Sequence, residues 1–410
     1  MRPALDGIKV LDLSRVLAGP WCAMTLADLG AEVWKVETPK GGDETRKWSP
    51  PSAGGISTYY LSVNRNKRAL AIDMASPRGA ELVRGLVREA DVVVENFMPR
   101  SLKRLGLDYE RLKEINPRII HCSISGYGRD SALADRPGYD FVMQAECGLM
   151  AITGTAEGEP LRFGVAIADL VSGMNATQAI LAALYHRAMT GAGQSVDVAL
   201  YRSGLQLLAN IASGYLNTGS EPVRFGNAHP SIVPYQSFAT ADGMLALAVG
   251  TDEQFRRLCI EVLERPDLAT APAFASNRKR GENRSALVQD IASLFIRQKT
   301  AHWLERLAAA GVPAGKVRRV SEAFTDQPEL SDEMVAELPH PMLGRVKVVR
   351  SPMRFSGCSL AEPTHPPLLG EHTGEVLQRV LGVAPAEIAA LHADGVLFEA
   401  SLAAPAEKRA

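Results

Sequence analysis

The sequence predicts an α/β fold: a large domain built on a doubly wound parallel sheet, followed by a smaller α+β domain, with the chain end returning to the first. Three observations carry this. Strand-like and helix-like segments alternate through the first third of the chain, the signature of repeated β-α-β units. A stretch rich in Gly, Pro and polar residues, Glu221 to Pro234, then reads as a crossing into new structure. The elements after about residue 330 are too few to enclose a core of their own, so they are expected to pack back on the first domain. The expected divisions are 1–220 for the N-terminal part of the large domain, 225–325 for the small domain and 330–410 for the returning part.

Taken in order, Ile8 to Leu13 is an apolar run short enough for a buried strand, Pro20 to Leu29 a helix and Glu32 to Val36 the next strand. Leu70 to Ile72 is a short strand, and Ser76-Pro77 supplies an N-cap and a first-turn proline for a helix reaching about Ala90. The run Val92 to Val94, a single helix from Pro99 to Lys113 and a strand from Arg118 to Ile124 continue the alternation. Ala168 to Arg187 is apolar nearly all round and is expected to be a fully buried helix. A strand at Val196 to Ala199 and another apolar helix to Asn217 follow. In the middle section, Tyr235 to Ala239 and Met244 to Val249 flank Asp242-Gly243, a hairpin signal, and helices are expected at 252–264, 283–297 and 301–310. A strand at Arg345 to Val349 and helices at 373–381 and 385–392 come next, and the Ala-rich end from Ala403 is expected to fray.

Composition narrows the function. Lys and Arg total 45 against 46 Asp and Glu, a formal charge of −1, which argues against nucleic acid as a whole-chain electrostatic partner. The sequence shows no apolar run behind a basic start and is expected to carry no signal peptide or membrane span. Cys22, Cys122, Cys147, Cys259 and Cys358 are scattered with no C-x-x-C pair, which points to a reducing, cytoplasmic setting.

Familiar motifs are missing. The turn after the first strand reads Ser14-Arg-Val-Leu-Ala-Gly19-Pro and lacks Gly-x-Gly-x-x-Gly, so the sheet does not imply NAD. Gly311 to Val317 is one residue short of a P-loop and ends in Val rather than Ser or Thr. No Gly-x-Ser-x-Gly elbow and no His-x-x-x-His pair occurs, and no metal site is expected. The chemistry that remains belongs to carboxylates, hydroxyls and backbone amides. Among carboxylates, Asp169 stands out. It sits where an apolar segment enters the apolar helix, where orphan amides and the helix dipole are expected to hold it ionised. A plain N-cap is one reading of it. The other is a nucleophile toward an activated acyl group, since its neighbours Gly164, Ala166, Ala168 and Gly173 are small or apolar.

With these residues in view, the chain resembles the family III CoA-transferases, the group that includes formyl-CoA transferase, carnitine CoA-transferase and the α-methylacyl-CoA racemases. The matching pieces are Leu5 to Ser14, Ala18-Gly-Pro20, Leu26 to Val33, Lys35-Val-Glu37, Gly42-Asp43, Asn64 to Arg68, Glu95-Asn-Phe97, Asn116-Pro-Arg118, Asp169 with Ser172-Gly173, Gly193-Gln194 and Leu368 to Thr373. The resemblance implies an interlocked homodimer, with acyl-CoA and carboxylic acid as substrates and no cofactor beyond coenzyme A itself. It implies that Asp169 is the nucleophile, passing through an acyl-aspartyl anhydride and an aspartyl-CoA thioester. It also implies CoA contacts from Val16, Leu17, Ala18, Ile72, Asp73, Met74, Asn96, Phe97, Arg104, Arg136 and Tyr139. For Arg104 a solvated helix face, for Phe97 core packing, and for Asn64 to Arg68 a polar turn remain as other readings.

Within the family, the racemase branch carries an acid/base histidine in a Gly-His-Asp motif. Here the triplet is Gly138-Tyr139-Asp140, and tyrosine, with a reference pKa of about 10, is a poor proton shuttle at neutral pH. Leu17 replaces the glutamine of formyl-CoA transferases, and their glycine-run flap is missing, which argues against formyl and oxalyl substrates. The stretch Arg224 to Gln236 looks like the branch that handles succinyl-CoA and short dicarboxylates such as itaconate, mesaconate, malate and hydroxymethylglutarate. Arg224, Asn227 and His229 are the expected acceptor contacts, with a purely structural interdomain loop as the other reading. CoA transfer to a short dicarboxylate such as itaconate is therefore the expected activity. Racemisation of 2-methylacyl-CoA is the alternative, and a non-catalytic CoA-ester binding protein comes behind both.

Overall fold

The computed structural model describes residues 1–400, so the end expected to fray lies outside the described residues. The chain divides into two compact units. The first comprises Met1–Leu149, Arg162–Ser213 and the chain from Asp332 onward; the second comprises Met150–Leu161 and Gly214–Ser331. The large unit thus gives way at Ser213 rather than 220, and 150–161 leaves it altogether. That segment is tied to the second unit's own loop by Gly226 N donating to Gly154 O at 2.9 Å, a long-range pairing with no local sequence signal.

The first unit contains a seven-stranded sheet in the order Leu397–Phe398, Lys67–Ile72, Glu32–Glu37, Lys9–Asp12, Val92–Glu95, Ile120–Ser125, Gln194–Ala199. All pairs are parallel except the short edge strand Leu397–Phe398, which runs antiparallel to Lys67–Ile72. The chain winds outward from Lys9–Asp12 in one direction, returns, and winds outward in the other from Val92–Glu95. Side chains alternate between two cores. Val10, Val92, Val94, Ile120 and Cys122 face one core, formed with helices Ala18–Asp28 and Ile167–Thr190. Leu11, Val93, Leu70 and Ile72 face the other, formed with helices Pro77–Glu89, Thr373–Leu381 and Pro385–Ala393. Burial on both faces explains the consecutive apolar residues of Val10–Leu11, Val33–Trp34, Ala69–Ile72 and Val92–Val94.

Several elements differ from expectation. The helix expected over Pro99–Lys113 is two, Pro99–Leu105 and Tyr109–Ile115. Gly106, in the left-handed region at φ +65°, caps the first by donating to Leu102 O and Lys103 O. The Ile167–Thr190 helix packs on Ala18–Asp28 but is not buried all round, since Met174, Tyr185 and Met189 are 45%, 72% and 73% exposed. By length and composition it is apolar enough to cross a membrane, contrary to the expectation that no such stretch exists; its contacts with two strands and three helices make it a packed element of this unit. Val335–His340, unforeseen, pairs antiparallel with Gly344–Val349.

The second unit is the expected α+β domain. Tyr235–Ala239, Met244–Ala248 and Ala314–Lys316 form an antiparallel sheet, and the hairpin turns at Asp242-Gly243. Phe238, Leu245, Leu247, Phe255, Leu258, Ile291, Phe295 and Trp303 make its core.

Two charged pairs lie fully buried in the main sheet. Lys67 Nζ donates to Asp12 Oδ2, Pro20 O and Asn64 Oδ1, each at 2.9 Å. Lys35 Nζ donates to Ser14 O at 2.9 Å and to Asp43 Oδ2 at 3.2 Å. Burial pulls Lys67 down to about 8, against the opposing pull of Asp12. Burial alone would raise the Asp12 carboxyl, but Lys67, Lys35 and the Ser14 bond outweigh it and hold it below the usual range. Removing one partner strands the other in a dry interior. Lys67→Met should therefore destabilise the fold by about 3–5 kcal/mol, read as a lowered urea midpoint at pH 7.

Candidate active site

A cavity of about 240 Å³ opens in the first unit where the sheet reverses direction, between the carboxyl ends of Lys9–Asp12 and Val92–Glu95. This is where open α/β sheets bind ligands, because two crossovers leave in opposite directions and part the loops. The lining comes from three loops, Arg15 to Ala18, Asn96 to Pro99 and Ile124 to Tyr139, together with Glu44, Asp169 and Leu200.

Ser14, Arg15 and Val16, which lead into the first loop, are each held by a separate polar clamp. Ser14 N donates to Asp12 Oδ1 at 3.0 Å. Arg15 N donates to Asn96 Oδ1 at 3.0 Å, and Asn96 Nδ2 returns a bond to Arg15 O at 2.7 Å. Val16 N reaches both Asp43 oxygens, at 3.3 and 3.2 Å. Val16 has φ +70°, an outlier for a β-branched residue. Helix Ala18–Asp28 starts immediately after, with no side-chain cap. The second loop is pinned by buried Glu95, whose Oε2 accepts from Phe97 N at 2.8 Å and from Arg129 Nη2 at 2.9 Å.

Asp169 lies in the first turn of Ile167–Thr190, half-buried on the cavity wall. Gly173, one turn on, allows the close approach: a Cβ there would meet Ala18 O at 2.6 Å. The helix-start amides expected to hold Asp169 ionised are taken by another residue. Asp140 Oδ1 accepts from Ala168 N at 2.8 Å and Asp169 N at 3.2 Å, while its Oδ2 accepts from Gln144 Nε2 at 2.6 Å. Asp169's own carboxyl has no hydrogen bond among the described residues. Burial, and then the Asp140 charge, push it up to about 7, the reverse of the dipole-stabilised carboxylate expected from sequence. Tyr59 feels the same charges. Burial first, then Asp169, Asp140 and Asp43, raise its phenol to about 12, and its ring meets Trp48 edge-on at 5.0 Å.

The structure brings Asp169, Val16, Leu17, Ala18, Asn96, Phe97, Arg136 and Tyr139 to one cavity. It does not bring Ile72, Asp73, Met74 or Arg104 there. Ile72 is fully buried in the opposite core and Met74 packs against that core. Asp73 closes the turn before helix Pro77–Glu89, its Oδ1 accepting from Ala75 N at 3.0 Å. Arg104 is exposed on its helix. The three residues expected to hold an acceptor carboxylate are engaged within the second unit. Arg224 donates to Thr155 O, Ala156 O and Gly158 O. Asn227 Nδ2 donates to Ser237 Oγ at 3.0 Å, and His229 Nδ1 accepts from Ser231 N and Ile232 N. These side chains brace their loop. Sequence reasoning missed Asp140, Tyr59 and Asp43. The signal for Asp140 is its place in the Gly138-Tyr-Asp triplet.

A model of CoA-transferase family III matches residues 5–373. The chain belongs to the family III CoA-transferases. This CoA-transferase is 42% identical over 393 residues to the human protein named succinyl-CoA:glutarate CoA-transferase, covering 96% of this chain and 90% of that one. It is 38% identical over 384 residues to a succinyl-CoA:mesaconate CoA-transferase of Haloarcula hispanica, covering 91% and 96%. A crystal structure of a CAIB/BAIF family protein from Brucella suis superposes with a TM-score of 0.84 at 42% identity, covering 93% of this chain and all of that one, 100%.

The electrostatics of the acid pair are directly measurable. Infrared difference spectra against Asp169→Asn should show one carboxyl titrating near 7. Asp140→Asn keeps an oxygen to cap the helix but removes the charge, so it should move that titration to lower pH. An unmoved titration would leave burial as the sole cause.

Proposed function

We propose that this enzyme transfers CoA from succinyl-CoA to a short dicarboxylate, with glutarate the first acceptor to test, through covalent intermediates on Asp169. The observation that carries the reading is Asp169 itself: a carboxyl without a hydrogen bond, raised to about 7, on the wall of a cavity lined by segments that the family resemblance assigns to CoA. A carboxylate of that basicity is a stronger nucleophile than a solvated one and is still substantially ionised at neutral pH.

In the cycle, an Asp169 carboxylate oxygen attacks the succinyl thioester carbonyl. The C–S bond breaks, CoA thiolate leaves, and a succinyl-aspartyl anhydride remains. The thiolate attacks the aspartyl carbonyl, the anhydride C–O bond breaks, and succinate departs from an aspartyl-CoA thioester. The acceptor carboxylate attacks that thioester, releasing thiolate and forming an acceptor-aspartyl anhydride. Thiolate attack on the acceptor carbonyl then frees the new CoA ester and restores Asp169. Charge is conserved at each step, so no proton relay is needed. Thiolate held in the cavity re-attacks at high effective concentration.

Relatives shift the acceptor. Human and mouse relatives, each 42% identical, bear glutarate in their names, and one of the haloarchaeal relatives bears mesaconate. Itaconate, expected from sequence, therefore stands behind these two. A relative from Acetobacter aceti, 37% identical over 353 residues, is named acetyl-CoA:oxalate CoA-transferase, so oxalate belongs in the panel as a contrast. The exposed Met174, Tyr185 and Met189 face supports the homodimer. Light scattering should then give a particle of twice the 44.1 kDa chain.

Two outcomes are expected. With succinyl-CoA as donor, glutarate should turn over faster than valerate, and mass spectrometry should trap CoA on Asp169; equal rates would remove the dicarboxylate assignment. Asp169→Asn should lose transfer yet be more stable at pH 8. The native carboxyl keeps its proton up to about 7, whereas the unfolded one releases it near 4, so ionisation costs stability as pH rises through that window. The gain in Tm should shrink toward zero as pH falls to about 4.

A further inference from the structure

We propose that Asp43 is a positioning residue for CoA transfer: its buried carboxylate holds Val16 in a left-handed backbone conformation and thereby sets the Val16–Ala18 wall of the cavity. The transfer part of this inference rests on the function proposed above; the backbone part does not.

The argument starts from Val16. At φ +70° its branched side chain crowds the backbone, and chains adopt such a geometry only where the surroundings over-determine it. Its neighbours have their own clamps, Ser14 from Asp12 and Lys35, Arg15 from Asn96. The Val16 amide donates to Asp43 and to no other group among the described residues. Asp43 is itself immobilised. Its N donates to Glu37 Oε1 at 2.9 Å, its Oδ1 accepts from Thr45 N at 3.0 Å and Thr45 Oγ1 at 2.8 Å, and its Oδ2 accepts from Lys35 Nζ at 3.2 Å. It is 1% exposed. Donors therefore approach both oxygens, Thr45 on Oδ1, Lys35 on Oδ2 and the Val16 N–H across the two at 3.3 and 3.2 Å, which only an ionised carboxylate satisfies. An asparagine keeps one acceptor. The shorter Thr45 bonds retain it, so Val16 keeps only its 3.3 Å contact with Oδ1, while the amide NH2 confronts the Val16 N–H and the Lys35 ammonium. Asp43→Asn is thus a nearly isosteric way to loosen the hold on Val16.

Glycine reaches positive φ without help, so the role is separable from general structural support by a double-mutant cycle. Asp43→Asn should lower kcat/KM for succinyl-CoA by about 10²-fold, the scale of a small misplacement of reacting groups. In the Val16→Gly background the same substitution should cost less than about threefold, because the turn no longer depends on the clamp. Hydrogen exchange of a peptide spanning residues 13–20 should be faster in Asp43→Asn than in the wild type, while a peptide spanning 82–94 should not change. If Asp43→Asn alone fails to fold, restoration of folding by Val16→Gly supports the proposal, and failure to restore it overturns it. An equal loss of kcat/KM in both backgrounds, or unchanged exchange at 13–20, also overturns it. If the wild type transfers no CoA, the proposed function fails, and the exchange experiment still decides whether Asp43 holds Val16.

Discussion

Four buried charges, Asp12, Lys67, Lys35 and Asp43, hold the cavity end of the sheet together. Strands in a parallel sheet end in loops whose backbone groups have no ladder partners. In this chain the ions reach those groups from inside the sheet. Lys67 ties Asp12 to the first turn of the Ala18–Asp28 helix through Pro20 O and to Asn64; Lys35 ties Ser14 O to Asp43. Such pairs are a weak source of net stability, because desolvation offsets much of the attraction. Their effect is to specify one path for residues 12–18, and every later feature of the site is built against that path.

The second constraint is a division of labour between two carboxylates. Asp140 takes the amides that open the Ile167–Thr190 helix, and so remains hydrogen-bonded. The carboxyl of Asp169, in that same first turn, receives no such bond; burial, and then Asp140's charge, raise its pKa. The same helix dipole that ordinarily steadies an acid at a helix start is spent on the neighbour. The arrangement links local helix capping to the raised basicity of the Asp169 carboxyl.

Much of the fold was legible in the sequence because burial on both faces imposes consecutive apolar residues within short strands, and because Ser76-Pro77 and Asp242-Gly243 carry their geometry locally. The break at Gly106 was not foreseen, since a lone glycine in a helical pattern is tolerated as often as it terminates. The edge strand Leu397–Phe398 and the 150–161 excursion were invisible for a different reason: both depend on partners hundreds or tens of residues away. Arg224 has partners that its residue type alone does not reveal. Three carbonyl oxygens of 155–158 occupy it, and only the folded loop reveals them.

By itself the sequence determined the α/β class, the family, and Asp169 as the carboxylate at the head of an apolar helix. These follow from residue type and spacing, which are properties of a linear chain. Only the tertiary structure decided which residues share the cavity, that Asp140 rather than Asp169 caps the helix, and that Val16 is held at positive φ by a carboxylate 27 residues away. Those are outcomes of three-dimensional competition for donors and of burial, and both are fixed by which groups meet when the sheet closes rather than by the order in which they occur.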